Sequence, residues 1–434
     1  MHRKQSRLFL LLAAALATVM PSLSAWSLSG TEFSAQPAPE RRDAIAAGTV
    51  IDATNVGDYA DVLSPAMGEL ISAGATTIEL GPHIDFPIHP NYRAATEQHE
   101  GSVTLGPEIG DLDNYIAGRP FPITLSTDDP RAGEKAAWNM RYGYGPDETE
   151  TLLMTWRYKD MAKDVEERRI EMYGALMRFD HRHTREPMPA LDSNPSELYS
   201  GLYLKVNFPY DIRNTQLLTH TKLDDGAPEQ AWIYLNTQRR VKRLSTGQKT
   251  DAFLGSDIMI EDFLGYNGRI RDMEWTYEGS EDRLLPMYAY DDLQPERRIV
   301  LDKHPVIAFE GAGECFPSVT WQLRRVHKLR ATPRDPSHPI GYRLFTVDAA
   351  TYAPVMTEIH DRGGKLWKVG MVALSDSSRR SGPNEDWQGA ITDGVSMVDV
   401  QAQHCTTLQF RTRIPESGLR SQLFTTQQMR SAGR

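Results

Sequence analysis

Along most of this chain the hydrophobic positions alternate with polar ones instead of recurring at helical spacing. Leu202, Leu204, Val206 and Phe208 interleave with Tyr203, Lys205 and Asn207, the period of two that marks a half-buried strand. Leu152–Tyr158, Ile170–Phe179, Thr215–His220, Ala231–Leu235, Val319–Leu323, Arg343–Val347, Val355–His360 and Leu366–Leu374 also read as strands. Short turn strings separate several of them: Leu223-Asp-Asp-Gly-Ala-Pro-Glu-Gln230, Asp348-Ala-Ala-Thr351 and Asp361-Arg-Gly-Gly364. Strands joined by such links pair antiparallel, so the pattern predicts a meander in one large curved antiparallel sheet. Helical spacing is confined to 57–72, 132–141 and 258–265, which predicts helices over the concave side. The fold class is mainly β with helices (α+β).

The chain opens with a basic stretch containing Arg3, Lys4 and Arg7, an apolar run Leu8–Met20 and the small-residue string Pro21–Ala25. This is the layout of a secretory signal, with cleavage expected after Ala25. The run is about 13 residues, short of the roughly 20 that cross a bilayer, and no later stretch is apolar enough to do so. No cysteine stands at the cleavage point for lipid attachment, so the expected product is a soluble periplasmic protein beginning near Trp26. The expected organisation is a signal peptide (1–25), a flexible lead-in (26–50), an N-terminal extension packed on the main domain (51–118), the β domain (119–410) and a polar tail (411–434). Losing three cations takes the formal net charge from −10 to −13, which argues against nucleic acid or an anionic membrane as a general partner.

Only two cysteines are present, Cys315 and Cys405. An oxidising compartment predicts that they bridge; the alternative is a pair of buried thiols. No nucleophile elbow, phosphate loop, dinucleotide fingerprint or zinc-protease helix occurs, and no cofactor is implied. His181 and His183 would share a face if on a strand, but no third ligand stands near, so surface or hydrogen-bonded histidines are the better reading. The pairs Asp128-Asp129, Asp224-Asp225 and Asp291-Asp292 stand in turn-like contexts and read as turn acids. The basic string Gln238-Arg-Arg-Val-Lys-Arg243 reads either as a cationic rim for an anionic group or as a solvated edge strand.

Several strings taken together resemble a known family: Arg119-Pro-Phe-Pro followed by Asp128-Asp-Pro-Arg-Ala-Gly-Glu-Lys-Ala-Ala-Trp-Asn139, Ala231–Leu244, Phe253–Phe263 and Tyr342–Lys368. In this order they resemble the bacterial family catalogued as domain of unknown function 1329, over roughly residues 50–410. The resemblance implies a half-open β-barrel like that of the lipoprotein carriers LolA and LolB, with a concave face that takes acyl chains under covering helices. It also implies an association with RND-type hydrophobe exporters and an outer-membrane β-barrel partner. It carries no catalytic residues, and residues 45–118 match its pattern only weakly.

The expected function is therefore a periplasmic carrier or binding protein for a lipid or other hydrophobic molecule, with no enzymatic chemistry. A docking subunit of an envelope complex and an envelope lipid or glycan hydrolase are the alternatives. The expected cavity wall is Trp156, Tyr158, Trp232, Tyr234, Phe263 and Trp367, and the expected rim is Arg239, Arg240, Lys242 and Arg243.

Overall fold

Alternating stretches become strands because a β-branched or aromatic residue at every second position packs against its neighbours across the pleat. In the computed structural model, which describes residues 36–43, 45–143, 145–245, 249–301, 304–379, 384 and 386–433, sixteen strands form one sheet. Two come from the extension: β1 (Val50–Ile51) and β2 (Ile78–Leu80). Six follow as a meander: β3 (Glu148–Asp160), β4 (Val165–Arg178), β5 (Leu198–Phe208), β6 (Gln216–Lys222), β7 (Gln230–Leu235) and β8 (Arg240–Arg243). Next come β9 (Met273–Leu285) and β10 (Met287–Ala289). The last six are β11 (Thr320–Pro333), β12 (Ile340–Asp348), β13 (Pro354–Asp361), β14 (Leu366–Asp376), β15 (Ala390–Asp399) and β16 (His404–Arg413). The expected signal peptide and the lead-in up to residue 35 lie outside the described residues.

Across the sheet the order is β1-β2-β11-β12-β13-β14-β15-β16-β3-β4-β5-β6-β7-β8, with β9 beside β11 and β10 beside β14. The two meanders meet where β16 pairs with β3, and the sheet is not closed, so it forms the expected half-barrel. Register shifts within the β3–β4 pair, at Thr151/Met154 and Tyr158/Lys159, add local twist and bend. The expectation of a purely antiparallel sheet needs one correction: β2 joins β11 and β10 joins β14 in parallel. Neither pair is linked by a hairpin, so nothing in the connection demands antiparallel pairing.

Five helices are described: α1 (Pro39–Asp43), α2 (Pro65–Ser72), α3 (Pro90–His99), α4 (Ala132–Arg141) and α5 (Thr426–Ala432). The string Ala-Gly-Glu-Lys-Ala-Ala-Trp gives α4 a face of small residues, with Ala132, Gly133, Ala136 and Ala137 all buried. A Cβ on Gly133 would sit 2.2 Å from the Trp275 carbonyl oxygen, so glycine lets the helix rest directly on the β9 backbone. At its other end Asn139 fixes Phe121: Phe121 N–H donates to Asn139 Oδ1 (2.9 Å), and Asn139 Nδ2 donates back to the Phe121 carbonyl (3.1 Å).

The two faces of the sheet carry separate cores. On one face β14 and β16 contribute Val369, Met371, Ala373 and Cys405, packed against residues of the extension such as Ile51, Met67, Ile71 and Phe86. The helix expected over 57–72 belongs here, as a 3-10 turn and α2, and not over the cavity. The disulfide is formed: Cys315 and Cys405 are joined with their Cα atoms 6.0 Å apart. Two terminal expectations are corrected. The end of the lead-in holds α1, and Gly48 N–H donates to the Leu80 carbonyl (2.7 Å). The polar tail docks by Phe424 and Met429, both buried beside Ala175, Met177, Tyr203, Leu218 and Tyr234.

Candidate ligand cavity

The inward faces of β13–β16 and β3–β6 enclose a cavity of about 440 Å³, within the range of small-molecule pockets. Its floor is made by apolar side chains of adjacent strands, among them Met154, Leu176, Leu202, Leu204, Val372, Val395, Met397, Leu408 and Phe410. Leu176, Leu202, Val372, Val395 and Phe410 are only half-buried although they stand on the inner face. Two strand glycines, Gly174 and Gly370, keep the floor low, since any side chain at either position would project into the space.

Helix α4 forms one part of the roof through Ala137, Met140 and Arg141. The loop after β8 forms the rest through Ile258 and Asp262–Asn267. Leu264 of this loop is 58% exposed while lining the cavity, which places an opening beside it. The loop is bent by Leu254 and Leu264 at positive φ, each followed by a glycine that is also at positive φ.

Three carboxylates fasten the loop to the sheet. Thr406 Oγ1 donates to Asp257 Oδ2 (2.6 Å), His404 Nδ1 lies 2.8 Å from the same carboxylate, and Lys368 Nζ donates to the Asp257 carbonyl (2.5 Å). Glu261 and Asp262 share Arg343 at 2.7 and 2.5 Å, and His338 Nε2 stands 3.2 Å from Glu261. Burial opposes ionisation of Glu261, but the neighbouring His338 and Arg343 outweigh it and hold the carboxyl down at about 2.

The cavity differs from end to end. Trp156 and Phe263 form one wall, with ring centroids 6.1 Å apart, and Phe253 packs behind both at 5.5 and 5.4 Å. Seven positions back along β3, about 20 Å, the lining turns polar with Thr149, Arg178, Arg141, Tyr199 and Ser200. Tyr199 ties this end together, because its hydroxyl donates to the Arg141 carbonyl (3.3 Å) and Arg178 lies over its ring.

Behind the polar end lies a hub that sequence reading missed. Asp147 Oδ2 accepts the backbone N–H groups of His183, Thr184 and Arg185 at 3.0, 2.7 and 3.0 Å. The pair His181/His183 is accordingly not on a strand. His181 has φ +56°, its ring faces the Ile116 carbonyl, and the His183 ring faces Gly145 and Arg178. Burial, and then the Arg178 charge, push the His183 imidazole down to about 4. A histidine held neutral in the fold contributes stability above its unfolded value near 6.5, lost as pH falls toward 4. Urea unfolding at pH 4.5 should therefore show a loss on the order of 2 kcal/mol relative to pH 7 from this residue, and His183→Gln should flatten that part of the pH dependence.

The acidic pairs are turn and capping groups. Asp129 binds Lys135 at 2.6 Å, Asp224 accepts from Gly226 N–H, and buried Asp225 accepts from the N–H groups of Ile270 and Arg271. Asp291 and Asp292 sit in a 3-10 turn. Among the described residues no group of three or more His, Cys, Asp or Glu side chains is placed to hold a metal ion.

Of the six expected wall residues, Trp156 and Phe263 line the cavity. Tyr158 lies beyond them in the same core, its hydroxyl donating to the Leu254 carbonyl (3.2 Å). Trp367 packs at the margin of that core and donates to Asp399 (2.7 Å). Trp232 and Tyr234 belong to the core under the C-terminal segment, where Tyr234 donates to the Gly433 carbonyl (2.9 Å). The expected rim is elsewhere too: Arg240, Lys242 and Arg243 are exposed on edge strand β8, with Arg239 in the turn before it. The cations that line the cavity are Arg141 and Arg178.

A family described as proteins of unknown function, DUF1329, matches residues 50–430. The chain belongs to this family. A search of curated proteins finds no match to this DUF1329 chain. Among solved structures it is similar to a domain from Vibrio parahaemolyticus named for outer membrane lipoprotein sorting, at 17% identity and a TM-score of 0.47, over 70% of this chain and 100% of that one. A DUF1329 protein from Desulfovibrio piger is similar at 13% identity and a TM-score of 0.47, over 70% and 99%. A LolA superfamily protein from Nitrosomonas europaea aligns at 12% identity and a TM-score of 0.36, over 67% and 94%. Among the described residues of the DUF1329 chain no helix is long and apolar enough to cross a membrane.

Proposed function

We propose that the protein is a periplasmic carrier that holds a lipid or other hydrophobic molecule in the half-barrel and performs no reaction on it. The observation that carries this reading is the half-buried apolar floor of the 440 Å³ cavity. Apolar side chains that could close on one another are instead held apart by a roof anchored at both sides. The buried disulfide supports an oxidising compartment such as the periplasm. The family resemblance supports service beside an RND-type exporter and an outer-membrane β-barrel. Burying an acyl chain releases about 0.8 kcal/mol per methylene, so ten methylenes offer roughly 8 kcal/mol before the costs of association.

Delipidated protein should bind a fluorescent long-chain acyl probe with micromolar affinity, and an unlabelled long-chain lipid should displace it. Gly370→Phe should weaken that binding at least about tenfold by filling the floor. Its ordinary backbone conformation accepts a side chain, and the new Cβ would meet Met397 and Thr357 at 3.4 and 3.6 Å, so the fold should survive. Wild-type protein that ignores the probe at high micromolar concentration would exclude the carrier reading in favour of a docking subunit.

A further inference from the structure

The three most deeply buried arginines are each matched closely by a carboxylate. Arg343 has Glu261 and Asp262 at 2.7 and 2.5 Å, Arg324 has Asp348 at 2.8 Å, and Arg182 has Glu148 at 2.8 Å. Arg141 breaks the rule. It lines the cavity at the end of α4, its Nη2 donates to the Gly268 carbonyl, and no carboxylate among the described residues lies within 4.0 Å of it. The neighbouring acids are committed elsewhere: Glu229 to Lys249 at 2.7 Å, Asp225 to two backbone N–H groups, and Asp262 to Arg343. Arg178 faces the same space, paired with Asp147 Oδ1 at 3.7 Å and donating to the Gly145 and Gly143 carbonyls (3.3 and 3.2 Å), so it adds positive charge to this end while Arg141 is the cation left without a carboxylate.

A cation at the edge of an apolar chamber is costly unless an anion completes it. The opposite wall is aromatic, built from Trp156 and Phe263, and no arginine or lysine lines the cavity there. We propose that the ligand is a single-chain anionic amphiphile, its carboxylate or phosphate head at Arg141 and Arg178 and its chain running along the floor toward Trp156 and Phe263. A cavity of about 440 Å³ lies at the small end of the ligand-pocket range, which suits one chain and not two. The inference rests on the carrier reading and adds the chemical class and orientation of the cargo.

The test compares three ligands of one chain length, hexadecanoate, hexadecyl phosphate and hexadecanol, by displacement of the acyl probe at pH 8. At least one anion should bind about 10–100-fold tighter than the alcohol, the range for a hydrogen bond to a charged group, and whichever is preferred names the head. Arg141→Gln should bring the anions to the alcohol's affinity while leaving the alcohol unchanged, and Arg141→Lys should restore part of the preference. Equal binding of all three to the wild-type protein would overturn the inference without touching the carrier reading, and needs no variant. Failure of all three to bind would remove the carrier reading and this inference with it.

Discussion

Arg343→Met should lower the free energy of unfolding by about 3–5 kcal/mol, the cost of stripping one partner from a buried ion pair. Arg343 is 1% exposed, and its removal leaves Glu261 and Asp262 facing each other's charge under the roof of the cavity. Methionine keeps the apolar stem and most of the volume, so the loss reports the charge and not a void. The effect has a pH signature. Glu261 is held down at about 2, so its contribution is complete above its unfolded value near 4.5 and disappears as pH falls through that value toward 2. Chemical unfolding of wild type and variant at pH 7 and pH 3 should show the difference shrinking in acid. A loss of equal size at both values would mean that packing alone was removed. Restoring neutrality with Arg343→Met, Glu261→Gln and Asp262→Asn together should recover part of the stability.

Replacing Cys315 and Cys405 by alanine should cost about 2–5 kcal/mol, the usual consequence of opening a native disulfide that closes a long loop. The bond spans 90 positions and ties the segment before β11 to β16, next to the seam where the two meanders meet. Ser396 reinforces the attachment by donating to the Cys315 carbonyl (2.5 Å). Because the bond lies in the core opposite the cavity, acyl-probe affinity measured below the unfolding transition should change little. A large drop in affinity with unchanged stability would show that this core shapes the floor directly.

The runs β3–β7 and β11–β14 were legible because alternation and turn chemistry are local, whereas β9, β15 and β16 were not read as strands. Leu202–Phe208 and the turn at 223–230 needed no knowledge of the rest of the chain. What alternation cannot tell is which face of a strand lines a cavity and which takes a second layer. Trp232 and Tyr234 share a face, but the partner of that face is the C-terminal segment, whose Phe424 and Met429 are two apolar residues in a polar string. The same limit hid Gly174 and Gly370, since a glycine in a strand reads as a weakness until its position on the floor is known. The strings that carry the family resemblance turned out to be fasteners: Asp257, Glu261 and Asp262 in one, Gly133 and Asn139 in another. Their partners Thr406, Arg343, Trp275 and Phe121 are far away in sequence or on another element, so spacing alone did not connect them. Asp147 was overlooked for the opposite reason, because its three bonds go to backbone and leave no side-chain motif.

An unclosed sheet has two edges, and each is a row of backbone groups on which another copy of the chain might build. At one margin β1 is only two residues long, and the 13-residue β9 beside β11 is partly covered, by α4 at the Trp275 carbonyl and by the Val62 carbonyl, which accepts Leu284 N–H. The other, β8, has four residues, and Arg240, Lys242 and Arg243 stand exposed along it. A second molecule approaching edge to edge would have to press these cations against its own. Exposed cations on a short edge strand disfavour such pairing, and the arginines expected at the mouth of the cavity stand on this edge instead.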